Sequence, residues 1–240
     1  MKTIFHSSDS RGHANHGWLN AKHSFSFASW YNPDRVHFGN LRVLNDDTVA
    51  PGMGFGTHPH DNMEIITIPL SGALTHQDSM GNKATIQAGE IQVMSAGTGI
   101  QHSEFNANED QDLTLLQIWV FPNKRSVTPR YDQQVIDYAA ASNQFKQILS
   151  PSPEDDGVWI HQNAWFNIGK FDRTTDLTIH LNDANNGVYA FVIEGGMTID
   201  GQKAEKRDAI GLWETEQFDI QIEANSTILL MEIPMQLPRI

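Results

Sequence analysis

Two short polar clusters carry residue types that bind metals. One is His58-Pro59-His60, followed by Glu64; the other is His102-Ser103-Glu104, ending at Asn106. Both lie among β-forming runs and glycines. In a strand, residues i and i+2 project to the same face. His58 and His60 therefore aim together, and so do His102 and Glu104. On neighbouring strands of a barrel wall, three imidazole nitrogens and one carboxylate oxygen would converge. That donor set suits a first-row divalent metal such as iron, manganese, nickel or zinc. Glu64, counted along from His58 and His60, falls on the same parity and is a further candidate to face the metal.

The elements that must position these clusters read as β. Strand-like runs are Leu41–Leu44, Glu64–Leu70, Ile91–Met94, Leu113–Phe121, Val188–Ile193, Ala209–Trp213, Phe218–Ile222 and Thr227–Ile233. Turn signals separate them at Ser71-Gly72, Met80-Gly81-Asn82 and Asp200-Gly201-Gln202. Many short strands with regular turns predict an all-β sandwich or barrel. The stretch Ser142–Leu149 reads as a short helix, ended by Ser150-Pro151-Ser152-Pro153. The surrounding region, Pro129 to Pro153, is the natural connector between an N-terminal domain, 1–134, and a C-terminal domain, 135–240.

A faint internal repeat supports two copies of one β unit. Ile66–Gly72 resembles Ala190–Gly195, and each is followed by a glycine turn, Gly81-Asn82-Lys83 or Gly201-Gln202-Lys203. At the positions matching the first histidine pair the second copy has Leu181 and Asp183. Near the position matching His102 it has Gln221 and Glu223. The second copy lacks the imidazoles, which places one metal site in the N-terminal half.

Composition narrows the function. The chain has 240 residues, a formal net charge of -13 and no cysteine. It is long enough to bury a core without staples. The missing thiols exclude a disulfide framework, a zinc ribbon and a cysteine nucleophile, and fit a cytoplasmic protein. Scattered Lys and Arg argue against direct nucleic-acid binding. Met1–Ser10 has no apolar core of the secretory type, and no apolar run is long enough to span a bilayer.

The pattern Gly52-x5-His58-x-His60-x3-Glu64, followed by Gly72, resembles the first cupin motif. Gly89 through His102-x3-Asn106 resembles the second, with a short insertion around Ala96-Gly97-Thr98-Gly99. More narrowly, the chain resembles the pirin family. The matching stretches are Arg11–Trp18, His23–Phe27, Leu41–Asp47, Gly54–His60, His76–Asn82 and Met94–Glu104. The C-terminal half resembles the family only in its pattern. The resemblance implies a bicupin, two tandem cupin β-barrels (double-stranded β-helices) with few short helices and a metal in the first barrel alone. It maps the metal ligands onto His58, His60, His102 and Glu104. Glu64 takes the ligand role in many other cupins and is here ranked behind Glu104. The implied metal is Fe(II), with Zn, Ni, Mn, Cu or Co able to occupy such a site. Bacterial pirins resemble quercetin 2,3-dioxygenases, so the implied reactants are a flavonol and O2. Animal pirins suggest the alternative, a non-catalytic, redox-sensitive iron protein that acts as a regulator through a protein partner. A bicupin already pairs two barrels, so the expected state is a monomer.

The chemistry follows from the donor set. A bound metal with open positions would take the flavonol 3-hydroxyl and 4-keto oxygens and lower the hydroxyl pKa. Glu104 is the first candidate for the base that removes that proton, with Glu64 in reserve. Met53, Phe55, Ile66, Met94 and Ile118 are expected to line the pocket. His13, His16 and His23 are read as hydrogen-bonding within the N-terminal segment. His76, placed opposite Thr67 in a tight hairpin, falls outside the site. His161 and His180 are read as structural. Gly52, Gly54 and Gly56 read as a bend for barrel closure, since no Lys or helix follows. Trp18, Phe25, Phe27, Trp30 and Tyr31 are read as packing residues.

Overall fold

The computed structural model describes residues 1–238. Among them the chain is built of strands, and the one helical piece is a 3-10 turn at Ser8–Ser10. The strands form four sheets, a large and a small one in each half. In the N-terminal half the seven-stranded sheet runs, in spatial order, Arg130–Val135, Glu90–Ser95, Glu64–Ser71, Leu113–Val120, Leu41–Val49, Leu19–His23 and Gly12–Asn15. The facing four-stranded sheet is Gly54–His60, Ile100–Asn106, Ala73–Asp78 and Lys83–Gln87. The C-terminal half repeats this seven-plus-four arrangement. Each half is thus a cupin jelly-roll of two facing sheets rather than a continuously hydrogen-bonded cylinder.

The large sheets are buried on both faces, and this explains their uninterrupted apolar runs. Along Asn186–Glu194, Tyr189, Phe191 and Ile193 enter a core shared between the halves. Their neighbours Val188, Ala190 and Val192 fill the interior of the C-terminal sandwich with Met197, Ile220 and Ile222. The same alternation runs through Glu64–Ser71. Ile66 and Ile68 belong to the same shared core as Phe166, Phe191 and Met231. Ile65 faces the other way, into the N-terminal sandwich, beside Met94 and Ile100. Each fully buried side chain of this size contributes about 1.5–3 kcal/mol. The interior of the second sandwich is solid hydrocarbon, whereas the first keeps a polar centre between two small apolar clusters.

The internal repeat is visible at its glycines. Gly72 and Gly195 each turn the chain from the large sheet into the small one, and both have φ 76°. A Cβ on Gly195 would meet Ser226 Oγ at 2.1 Å, so backbone conformation and close approach both require glycine there.

Two features differ from the sequence expectation. Ser142–Leu149 is not a helix. Asn143 sits in the left-handed region at φ 55°, and Lys146–Ser150 is a strand on Trp165–Phe171. The register shifts between Gln147 and Leu149, a bulge that lets consecutive residues Ile148 and Leu149 both reach the shared core. The second feature is an unexpected strand, Lys2–His6, which pairs with Ala209–Trp213 at the edge of the C-terminal large sheet. Ser8 N–H then donates to Asp208 Oδ1 at 2.6 Å, and His6 Nδ1 lies 2.9 Å from the Tyr189 hydroxyl.

Candidate metal centre

The small N-terminal sheet brings the two polar clusters together. Gly54–His60 pairs antiparallel with Ile100–Asn106, and His58 lies directly across from His102. The register slips between His102 and Glu104, so Glu104 lies opposite Phe55. A bulge of this kind re-aims a side chain locally. Ring centroids are 4.4 Å apart for His58 and His102, 4.9 Å for His58 and His60, and 4.9 Å for His60 and His102. These three residues each offer a ligand nitrogen within 4.8 Å of the others. Glu104 forms a second such group with His102 and His76, so His102 is common to both.

The surroundings prepare these groups for coordination. His58 Nδ1–H donates to the Gly56 carbonyl at 2.8 Å, which leaves Nε2 free of its proton. Burial, and then the neighbouring His58, lowers His60 to about 4. Burial, reinforced by His58 and His60, lowers His102 to about 3. Both rings are therefore neutral at physiological pH, the form that binds metal. Glu104 is wholly enclosed and burial raises it to about 7, opposed by hydrogen bonds from Gln117 and Thr67. Gln117 Nε2 reaches both carboxylate oxygens at 3.3 Å, and the Thr67 hydroxyl reaches Oε1 at 3.4 Å.

The fit to a metal rests on His102. Neither ring nitrogen has a hydrogen-bond partner, although the residue is only 2% exposed. A buried polar atom left unpaired costs about 1–3 kcal/mol. A ring that lacks partners on both nitrogens and faces two further imidazoles is suited to a cation.

The large sheet supplies the opposite wall. A cavity of about 80 Å³ separates His58, His60, His102 and Glu104 from Asn45, Asp47, Ile65, Gln117 and Trp119, with Phe27 and Phe55 at its sides. Trp119 stands edge-on to His60 at 4.9 Å and to Phe27 at 5.4 Å. His23 Nδ1–H donates to Asn45 Oδ1 at 2.9 Å. Asp47 is raised to about 8 by burial, with help from Asp46 and Glu104.

The structure does not bring Glu64 to this cluster. Gly54–His60 belongs to the small sheet, whereas Glu64 opens a strand of the large one. Between them Asn62 turns the chain at φ 45°, so the parity count from His60 does not carry across. Glu64 shares the face of Ile66, towards the C-terminal half. It accepts from Ser95 Oγ at 2.6 Å and is raised by burial to about 7. Ile66 and Ile118 likewise point into the shared core rather than the pocket. Met94 packs behind Ile65, and Met53 is 43% exposed, so of the expected lining only Phe55 faces the cavity.

His76 is the converse case. Gly72 carries the chain into the small sheet, where His76 pairs with Glu104 instead of Thr67. It is fully buried, its Nε2 is 3.1 Å from Asp78 Oδ2, and its ring is 5.3 Å from His102. The spacing His76-x-Asp78 was the available signal, an imidazole and an oriented carboxylate on one strand face. Asp47, Gln117 and Trp119 carried no local signal, because only sheet packing turns them towards the histidines.

Two jelly-roll sandwiches in tandem, with a metal-type donor set in the first and a hydrocarbon interior in the second, define a bicupin. Comparison with known proteins agrees. The family model described as Pirin matches residues 4–120, and that of the quercetinase C-terminal cupin domain matches residues 147–233. A protein named quercetin 2,3-dioxygenase from Escherichia coli K12 is 44% identical over 225 residues, covering 93% of this chain and 95% of its own. A pirin-like protein from Caulobacter vibrioides is 36% identical, covering 93% of this chain and 96% of its own. The crystal structure of the bacterial pirin YhhW from Escherichia coli, in complex with nickel(II), superposes with a TM-score of 0.92 at 39% identity, covering 97% of this chain and 99% of that one. The chain belongs to the pirin family.

Proposed function

We propose that this pirin is a metal-dependent dioxygenase of the quercetin 2,3-dioxygenase type, with Fe(II) as its working metal. The observation that carries the reading is the convergence of His58, His60 and His102 on one wall of a cavity, with Glu104 beside them. These four side chains would hold the ion. When bound, a divalent metal supplies Lewis acidity that makes an enol hydroxyl more acidic. Glu104, beside the histidines, receives the flavonol 3-hydroxyl proton as general base. Gln117 and Thr67 orient its carboxylate. Phe27, Phe55 and Trp119 exclude water and offer flat apolar faces to an aromatic ring. In the overall reaction both oxygen atoms of O2 enter the product. The ring carbon that bore the hydroxyl leaves as carbon monoxide, and a depside remains. The quercetin 2,3-dioxygenase name of the Escherichia coli relative supports this reading. Among the described residues no helix is long and apolar enough to cross a membrane. We propose the cytoplasm as its compartment and a monomer as its state.

The test uses metal-free protein reloaded separately with Fe(II), Ni(II), Mn(II), Co(II), Cu(II) or Zn(II). Loss of quercetin absorbance and release of carbon monoxide are followed in air. Metal-dependent turnover that disappears in His58→Ala supports the assignment. Stoichiometric metal binding without turnover for any ion overturns it and favours the regulatory role.

A further inference from the structure

Among the described residues the metal-type donors fall into two groups. His58, His60 and His102 form one; His76, His102 and Glu104 form the other, and all three of the latter are buried. Within each group the ligand atoms lie within 4.8 Å of one another. Strand register explains the second group. Ala73–Asp78 runs antiparallel to Ile100–Asn106, with His76 opposite Glu104 and Asp78 opposite His102. Residues two apart share a face, so these four side chains all point into the first sandwich.

His76 has the support that metal-binding histidines carry. A ligating imidazole ordinarily donates its second ring N–H to a carboxylate or a carbonyl, which fixes the tautomer. His58 does so to the Gly56 carbonyl. His76 does so to Asp78, with Nε2 3.1 Å from Oδ2. Asp78 is itself held in place. Its Oδ2 accepts from Asn82 Nδ2 at 2.8 Å, and its Oδ1 accepts from the Met80 and Asn82 backbone amides at 2.9 and 3.1 Å. The His76 proton is therefore on Nε2 and the lone pair on Nδ1. Tyr131 packs against the ring at 4.9 Å and fixes its plane. The two groups also differ in charge. The first offers three imidazoles and no carboxylate. The second offers two imidazoles and one carboxylate, the donor set of the facial triad that holds Fe(II) in non-haem sites.

We propose that His76, His102 and Glu104 form a second, inner seat for the divalent ion. One ion moves between the seats by exchanging His58 and His60 for His76, while His102 and Glu104 are kept. A neutral imidazole has a single lone pair, so the shared His102 serves one ion at a time. His102 and Glu104 line the cavity, but His76 does not. An ion drawn towards His76 recedes from the space a substrate would occupy. The inner seat thus retains the metal, and the outer seat presents it. The proposal rests on the reading of His102 as a metal ligand and not on flavonol turnover.

The test removes the outer histidines. Metal-free His58→Ala/His60→Ala protein is titrated with Co(II) by calorimetry. A second sample takes Cu(II) for electron paramagnetic resonance, whose hyperfine pattern counts bound imidazole nitrogens. The expected result is one ion per chain with two nitrogens. Asp78→Asn in this background should lower Co(II) affinity by about 10–100-fold, the usual cost of losing such a partner. His76→Leu should lower it at least as far and reduce the count to one nitrogen. Urea midpoints report whether each variant has folded, and the nitrogen count in His58→Ala/His60→Ala needs neither further substitution. A count of one nitrogen in that protein overturns the proposal, as does a Co(II) affinity that His76→Leu leaves unchanged. If wild type binds no metal, the proposal falls together with the metal centre. If wild type turns quercetin over while His58→Ala/His60→Ala takes up no ion, the dioxygenase reading stands and this one falls.

Discussion

His102 is the side chain on which the metal reading depends most, and its removal gives a test with two separable parts. In the metal-free protein, His102→Ala removes a ring that is 2% exposed and has no partner on either nitrogen. Truncating a buried aromatic ring ordinarily costs about 3–5 kcal/mol. Here the change also removes two unpaired buried nitrogens, each a burden of about 1–3 kcal/mol. Together the two nitrogens offset about 2–6 kcal/mol of that, so the net cost should be no more than about 3 kcal/mol, below that of Phe166→Ala, whose ring is fully buried in hydrocarbon. With Ni(II) at a hundred times its dissociation constant, wild type should gain about 2.7 kcal/mol. For a chain of this length each kcal/mol moves Tm by about 2–4 °C, so the rise is about 5–11 °C. The variant should show no comparable rise. Urea unfolding measures the first part, and thermal melts with and without nickel measure the second. A nickel-induced rise in His102→Ala equal to that of wild type refutes the assignment. A metal-free loss as large as that of Phe166→Ala refutes the view that its nitrogens are unsatisfied.

Three further outcomes follow from the same geometry. Glu64→Gln should leave nickel affinity within about twofold of wild type, because Glu64 faces Ser95 on the far side of the sheet; a tenfold loss by calorimetry (about 1.4 kcal/mol) would return it to the site. Stability of the metal-free protein should fall as pH rises above 6.5. Asp47 and Glu104 keep protons in the folded state up to about 8 and 7 but release them near 3.8 and 4.5 when unfolded, so their contribution is full at low pH and is lost as pH rises. His60 and His102 have the opposite sign, with folded values lowered from 6.5 to about 4 and 3, so they offset the decline only below 6.5. Asp47→Asn should remove about 1 kcal/mol per pH unit of the slope above that point, and identical urea-derived slopes in variant and wild type would contradict the assignment. Gly97→Ala should cost at least about 1 kcal/mol, since its Cβ would lie 2.0 Å from the Val127 carbonyl at a φ of 50°; an unchanged urea midpoint would show that the Thr98–Val127 contact yields freely.

Much of the site was legible from local spacing. His58 and His60 share a strand face by parity, and so do His102 and Glu104. The missing imidazoles of the second copy correctly set its hydrocarbon interior apart from the polar first one. Strand identity was equally plain wherever apolar runs met glycine turns. These signals act over a few residues, within one strand, where backbone geometry imposes the alternation.

Other features depended on which sheet the chain joins next, and no local pattern carries that information. Parity from His60 pointed Glu64 inward, but the turn at Asn62 moves the chain from the small sheet to the large one and resets the count. The same change of sheet at Gly72 brings His76 beside Glu104. Ile66 and Ile118 looked like pocket residues because they are apolar and near the histidines in sequence. A large sheet buried on both faces has two apolar sides, however, and composition cannot tell them apart. The sequence by itself determined the residue types at the centre and the strands that bear them. The facing of the two sheets, a contact between segments far apart in the chain, decided the rest: a cavity with imidazoles on one wall and Asp47, Gln117 and Trp119 on the other.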